Sequence, residues 1–186
     1  IENDDVVFNL QKDGTYNLRS KKYLIDENGK ERRGKPTTFY SDVYTQNGTE
    51  DIRKLFGTLI FDYTKPVELI KHMLKIATKN NDIILDFFAG SGTTAQAVME
   101  LNAEDKGNRE FILVQIDEEI KEDKSKSAYD FCKKELKSEN PVISDITIER
   151  VKRAAQKIIL NTQTTTSGNL NLDEDFYEKN INVFSG

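Results

Sequence analysis

Between Asp86 and Ala95 the chain reads "DFFAGSGTTA": an acid, two aromatics, two closely spaced glycines, then two threonines. Gly90 and Gly92 allow a sharp backbone turn and let a ligand approach where a Cβ would stand in the way. A helix that starts at the end of such a loop aims unpaired N–H groups at that ligand. The chemistry on offer is recognition of a nucleotide-like molecule, and three ligand classes use this geometry. Nucleoside triphosphates take G-x-x-x-x-G-K-[ST], whose lysine reaches the phosphates. "AGSGTT" carries no lysine, which rejects ATP and GTP. Dinucleotides take G-x-G-x-x-G/A, matched in form by "GSGTTA" from Gly90 to Ala95. Asp86 opposes that class, because a carboxylate beside the loop repels a pyrophosphate.

The same carboxylate suits S-adenosylmethionine, whose sulfonium and amino group are cationic. That ligand also wants backbone donors for its own carboxylate, and an acid or amide at the next strand end for its ribose. Gln115 and Asp117, closing "FILVQID", stand at that position. The competing role for Asp86 is a turn or helix-capping carboxylate.

Other chemistry-bearing residues read as structural. His72 is the lone histidine, so no metal site is built on it, and it falls off the apolar face of its helix, where it reads as exposed. Cys132 alternates with Phe131 and Leu136 in helical spacing and reads as a buried small apolar residue. Arg150, Lys152, Arg153 and Lys157 form a basic stripe on one helix; a solvated face is the expectation, contact with DNA or a partner subunit the alternative.

The elements that position the loop follow from periodicity. "DIILDFF" and "REFILVQID" read as buried strands, with "TTAQAVMELN" a helix between them. Strand, glycine loop, helix, strand is a βαβ unit, which implies a parallel sheet. Upstream, "NGTEDIRKLFG" predicts a short helix with Thr49 as N-cap and Gly57 as its stop. "DYTKPVELIKHMLKIAT" predicts another, with Thr64 as N-cap, Pro66 near its first turn, and Val67, Ile70, Met73, Leu74 and Ala77 on its apolar face. "SAYDFCKKELK" and "TIERVKRAAQKIIL" predict two more helices, "NTQTTTSGN" a polar linker, and "NINVFS" a last strand. Residues 1–45 read as short extended pieces broken by turns at "KDGT", "DENGK" and "RRGKP".

The 186 residues suit one domain, or one with a substantial appendage. No run approaches the ~20 apolar residues of a membrane span, and no signal peptide opens the chain. A single cysteine excludes an internal disulfide and suits a reducing, cytoplasmic setting. The first residue is Ile, which suggests a piece of a longer polypeptide. The net charge of −5 speaks against a dedicated DNA-binding protein, yet Lys12 to Lys35 hold eight basic residues against four acidic ones. Tyr16, Tyr23, Phe39, Tyr40 and Tyr44 accompany them. Cations can track a phosphate backbone and aromatics can stack on bases, though a solvated hairpin segment explains the same pattern. The acidic tail, Asn169 to Glu178, suits no nucleic acid.

"DFFAGSGTT" resembles motif I of the amino-methyltransferases, as found in DNA adenine and cytosine-N4 enzymes. "YTKPVELIKHML" resembles their motif X, and motif X directly before motif I is the order of the β-class. "KPTTFYSDVYTQNGTEDIRKLFG", "NREFILVQIDEEI" and "ISDITIERVKRAAQKI" resemble more narrowly the C-terminal half of type III restriction–modification methylation (Mod) subunits, over most of residues 20–160. The resemblance implies a partial Rossmann-like α/β fold, a parallel sheet with flanking helices, and methyl transfer from S-adenosylmethionine to adenine N6. It implies that Asp86, Phe88, Gly90, Gly92 and Thr93 form the cofactor loop, that Thr64, Lys65 and Pro66 flank the methionine moiety, and that Gln115 or Asp117 holds the ribose.

The resemblance divides the chain into a trailing part of the target-recognition region (1–45), a cofactor-binding core (46–160), and a linker with a possible strand (161–186). It implies double-stranded DNA, a restriction (Res) subunit and a second Mod copy as partners. The family's Asp/Asn-Pro-Pro-Tyr/Phe catalytic motif is absent: the prolines are Pro36, Pro66 and Pro141, never adjacent. No catalytic residue is therefore assigned in this chain, and the motif is expected upstream of Ile1. Two other readings are a non-catalytic DNA-binding or assembly module on the same fold, and an NAD-dependent dehydrogenase fragment.

Overall fold

The computed structural model describes residues 6–20 and 40–165. They fall in two compact units, one within Ile1–Phe39 and one within Tyr40–Gly186. In the first, β1 (Val6–Leu10) and β2 (Tyr16–Ser20) form an antiparallel hairpin that pairs Phe8 with Leu18 and Leu10 with Tyr16. The "KDGT" turn closes as expected. Gly14 takes φ +82°, and the Asp13 carboxylate accepts from the Thr15 amide (3.0 Å) and hydroxyl (2.7 Å). The turns expected at "DENGK" and "RRGKP", the cations from Lys21 to Lys35, and the "NINVFS" strand lie outside the described residues.

The second unit holds α1 (Thr45–Phe56), α2 (Val67–Ala77), β3 (Ile83–Asp86), α3 (Thr93–Asp105), β4 (Glu110–Leu113), α4 (Lys126–Lys134) and α5 (Ile143–Thr165). β3 and β4 pair in parallel, Ile84 opposite Phe111 and Asp86 opposite Leu113, with α3 as the crossover. The expected βαβ unit is present in a mixed α/β unit with a small parallel sheet. None of the described helices is long and apolar enough to cross a membrane.

Two apolar clusters hold this unit. Val67 and Leu74 of α2 pack with Ala97, Val98 and Leu101 of α3, and Ile84 and Phe111 of the sheet lie against them. Ile52 and Phe56 of α1 pack with Ile60, Ile120, Ala128, Phe131, Cys132 and Ile146. Cys132 is buried as expected, and burial pushes its thiol up to about 11, so it stays a neutral packing residue.

Several sequence expectations give way to tertiary contacts. α1 starts at Thr45, not after Thr49; Asn47 Oδ1 accepts from the Tyr44 amide (2.7 Å) and turns the chain into the helix earlier. Gly57 ends it in the left-handed region (φ 76°), as expected. α2 starts after Pro66 rather than after Thr64. Its first amide, Val67 N–H, donates to Asp51 Oδ2 of α1 (3.0 Å), so the cap comes from a neighbouring helix.

Met73 and Ala77 lie exposed; the inward face of α2 carries Lys71 instead. Burial disfavours the charge of Lys71, but hydrogen bonds to Glu104 and Glu68 outweigh it and raise its pKa. His72 is half-buried, stacked on Tyr40 with ring centroids 3.8 Å apart, rather than free in solvent. α5 continues to Thr165, through the first residues of the expected polar linker. Among the described residues, β3 and β4 are covered on one face only. Ile83, Leu85, Phe87, Ile112 and Val114 are 46–63% exposed, because α2 and α3 both lie on the opposite side.

Candidate functional site

β3 delivers Asp86 to the start of the glycine loop. Asp86 Oδ1 accepts from the Phe88 amide (3.0 Å) and Oδ2 from the Thr94 hydroxyl (2.6 Å), so this carboxylate spans the loop and clamps the first turn of α3. The capping role weighed for Asp86 is realised. Phe88 projects outward, 86% exposed beside the loop. Gly90 and Gly92 take φ +53° and +79°, which side-chain-bearing residues rarely adopt. A Cβ on Gly92 would stand 3.2 Å from the Thr147 carbonyl oxygen, so α5 seats directly on the loop.

The loop is held from three sides. Gly90 N–H donates to Gln115 Oε1 (2.7 Å), Gly90 O accepts from the Thr147 hydroxyl, and the Ala89 amide donates to Val114 O (3.1 Å). Gln115, expected to meet a ribose, thus already fixes the loop, and its amide group donates to Ile116 O (3.1 Å). Asp117 accepts from the Ser144 hydroxyl (2.5 Å), which ties the segment after β4 to the first turn of α5.

The loop and the Thr64–Pro66 segment meet although 27 residues separate Thr64 from Ser91. Their hydroxyl oxygens are 2.5 Å apart, and Thr93 Oγ1 lies 3.3 Å from each. All three hydroxyls are buried. Gly48 lets α1 lie against the Thr64 turn, since a Cβ there would fall 2.2 Å from Thr64 O. Lys65 is exposed beside this junction and Pro66 is buried within it. Tyr63, one residue before, takes φ +58° and is 94% exposed.

A residue read as part of a solvated stripe sits behind this junction. Arg150 is fully buried, not on the solvent face with Lys152 and Lys157. Its Nη1 donates to Ser91 Oγ (2.7 Å), Thr93 Oγ1 (2.8 Å) and Thr64 Oγ1 (3.0 Å), and its Nε to Gln96 Oε1 (3.0 Å). Burial lowers its pKa to about 10, against the opposing pull of Asp51 and Glu100, so it stays a cation at neutral pH. Arg153 is half-buried too, its guanidinium 4.8 Å from the Phe56 ring centroid and 5.3 Å from that of Phe131. The signal for Arg150 was present in the sequence: it stands at helical spacing from Ile146, Thr147 and Ala154, all buried.

A family model described as DNA methylase matches residues 3–154. The chain belongs to the DNA methylase family. It is 42% identical over 139 residues to the Type III restriction-modification enzyme StyLTI Mod subunit of Salmonella typhimurium, covering 73% of this chain and 20% of that protein. It is 38% identical over 138 residues to the Type III restriction-modification enzyme EcoPI Mod subunit of Escherichia phage P1, covering 74% and 19%. The Type II methyltransferase M.KpnI of Klebsiella pneumoniae is 38% identical over 131 residues, covering 69% and 29%. The chain thus spans about a fifth of the length of the Mod subunits it matches. Membership in this family bears out the resemblance drawn from "DFFAGSGTT" and "YTKPVELIKHML", and sets aside the dehydrogenase reading.

Proposed function

We propose that this chain is the cofactor-binding C-terminal portion of a site-specific DNA adenine-N6 methyltransferase of a type III restriction–modification system, and that its ligand is S-adenosylmethionine. The observation that carries this reading is the junction of Thr64 with Ser91 and Thr93. It supports one site made from the glycine loop and the Lys65-Pro66 turn, with Asp86 at its edge. When bound, the cofactor supplies an electrophilic methyl group on a sulfonium.

The residues fit such a ligand. Asp86, Gly90, Gly92 and Thr93 form the loop and the start of α3, whose N–H groups and dipole favour an anionic group. Exposed Phe88 offers a ring for stacking on the ligand's base, and Thr64, Lys65 and Pro66 form the second wall. Gln115 and Asp117 lie at the end of β4, where the ribose belongs; Gln115 keeps its contact to Gly90 while its remaining lone pair serves the ligand.

The finer fold reading is a Rossmann-like sheet of which β3 and β4 are one part. The apolar face of Ile83, Leu85, Phe87, Ile112 and Val114 supports it, since a parallel strand pair of this composition is built to be covered on both sides. The rest of the longer polypeptide is its occupant, since the match to this chain covers only about a fifth of the matched Mod subunits. In this reading residues 1–45 close the target-recognition region, 46–160 form the cofactor core, and 161–186 a linker. The intact protein acts in the cytoplasm on double-stranded DNA, as a Mod dimer paired with a Res subunit.

The test is methyl transfer from radiolabelled S-adenosylmethionine to duplex DNA by the intact protein. Label on adenine N6, lost with Asp86→Ala, supports the reading. Label on cytosine, or full transfer by that variant, contradicts it.

A further inference from the structure

Arg150 is the one fully buried cation among the described residues, and neutral oxygens alone receive its hydrogen bonds. No carboxylate of the described residues lies within ion-pair distance of it; Asp51 and Glu100 act on it only through space. Its second terminal nitrogen, Nη2, is buried without a hydrogen-bond partner among the described residues. Buried cations are ordinarily paired, because hydroxyl dipoles replace only part of the hydration they lose. Arg150 therefore sets a positive charge without a direct counter-ion among the described residues behind the loop, at the point where three segments meet.

That charge stands on a guanidinium 2.7–3.0 Å from hydroxyls on both walls of the candidate site. Nη1 has two hydrogens for three oxygens, so the hydroxyls share the cation and one another. The loop and the Thr64 turn are therefore referenced to one rigid group on α5. An anion arriving at the start of α3 meets backbone donors in front and this cation behind, in a setting where water screens little.

We propose that Arg150 is a positioning residue for the acidic end of the ligand. It locks the loop against the Thr64 turn, and its charge, held without a direct ion pair among the described residues, selects a ligand that carries a carboxylate over one that does not. This rests on the S-adenosylmethionine reading, and it assigns the discrimination to a residue that the ligand does not touch.

The experiment is calorimetric titration of the intact protein with S-adenosylhomocysteine and with 5′-methylthioadenosine, which lacks the amino-acid tail. Wild type, Arg150→Gln and Arg150→Lys are compared, each with its fold checked by amide hydrogen exchange. Arg150→Gln weakens S-adenosylhomocysteine about tenfold or more and methylthioadenosine by less than about threefold, the size expected for losing one poorly screened charge. Arg150→Lys keeps the wild-type preference between the two ligands, even at lower absolute affinity. That result stands by itself if the Gln variant does not fold.

Parallel loss of both ligands in Arg150→Gln, or loss of the preference in Arg150→Lys, overturns the proposal and leaves Arg150 a structural staple. Failure of wild type to bind S-adenosylhomocysteine overturns the S-adenosylmethionine reading, and this proposal with it.

Discussion

At the scale of single residues, two glycines carry the site by what they lack. Gly48 leaves room for the Thr64 carbonyl, which a Cβ would meet at 2.2 Å, far inside contact distance. Gly48→Ala is expected to cost about 1–3 kcal/mol, the range for overpacking a filled contact, because α1 must shift off the Thr64 turn. Gly92→Ala adds a left-handed penalty of about 1–2 kcal/mol to a tighter contact with Thr147. Urea denaturation measures both; an unchanged midpoint in either would refute the packing described. Gly90, Gly92 and Asp86 were legible in the sequence because loop chemistry is local. The role of Gly48 was not, since nothing near it in sequence announces a partner 16 residues away. Arg150 was misread because its charge outweighed its phase with buried neighbours.

At the scale of elements, helix starts were the least legible feature. Thr64 is a good capping type, but Pro66 occupies the cap position and Asp51 of α1 accepts from the first amide of α2. The Thr64 hydroxyl instead bonds with Ser91, Thr93 and Arg150 across the junction. Asp51→Ala is expected to lose about 1 kcal/mol, the usual worth of a cap, read from the urea midpoint.

The clasp of α2 to α3 by Lys71 and Glu104 gives a pH signature. Partial burial opposes the charge of Glu104, yet hydrogen bonds from Lys71 and Lys75 hold its pKa below the ordinary value. A depressed carboxylate contributes stability above its unfolded pKa of about 4.3 and loses it as pH falls through the folded value. Lys71, with its raised pKa, contributes fully below about 10.4 and loses that only in stronger base. Because Glu104 is 46% exposed, Glu104→Gln should cost no more than about 1 kcal/mol at neutral pH. The gap from wild type should narrow as pH falls below the unfolded carboxylate value of about 4.3; a gap that does not shrink on acidification would contradict the ion-pair account.

At the scale of the whole molecule, the βαβ unit and the helix order were readable from periodicity, and the coverage of the sheet was not. Apolar runs report that strands are built for burial but not which segment covers each face; under the proposed function the outer face is covered by the rest of a longer polypeptide. Leu85, 49% exposed here, should be enclosed in the intact protein. Leu85→Lys is then expected to destabilise the intact protein by several kcal/mol and this chain alone by about 0.5 kcal/mol or less. Equal small effects in both would mean that the face stays open.

The central claim is that the glycine loop and the Thr64 turn form one site for S-adenosylmethionine. Its most direct test is calorimetric titration of the intact protein with S-adenosylhomocysteine, with NAD in parallel and Asp86→Ala as the variant. The account predicts binding of S-adenosylhomocysteine alone, weakened at least tenfold in the variant, about 1.4 kcal/mol. Binding of NAD in its place, or undiminished binding by Asp86→Ala, would contradict it.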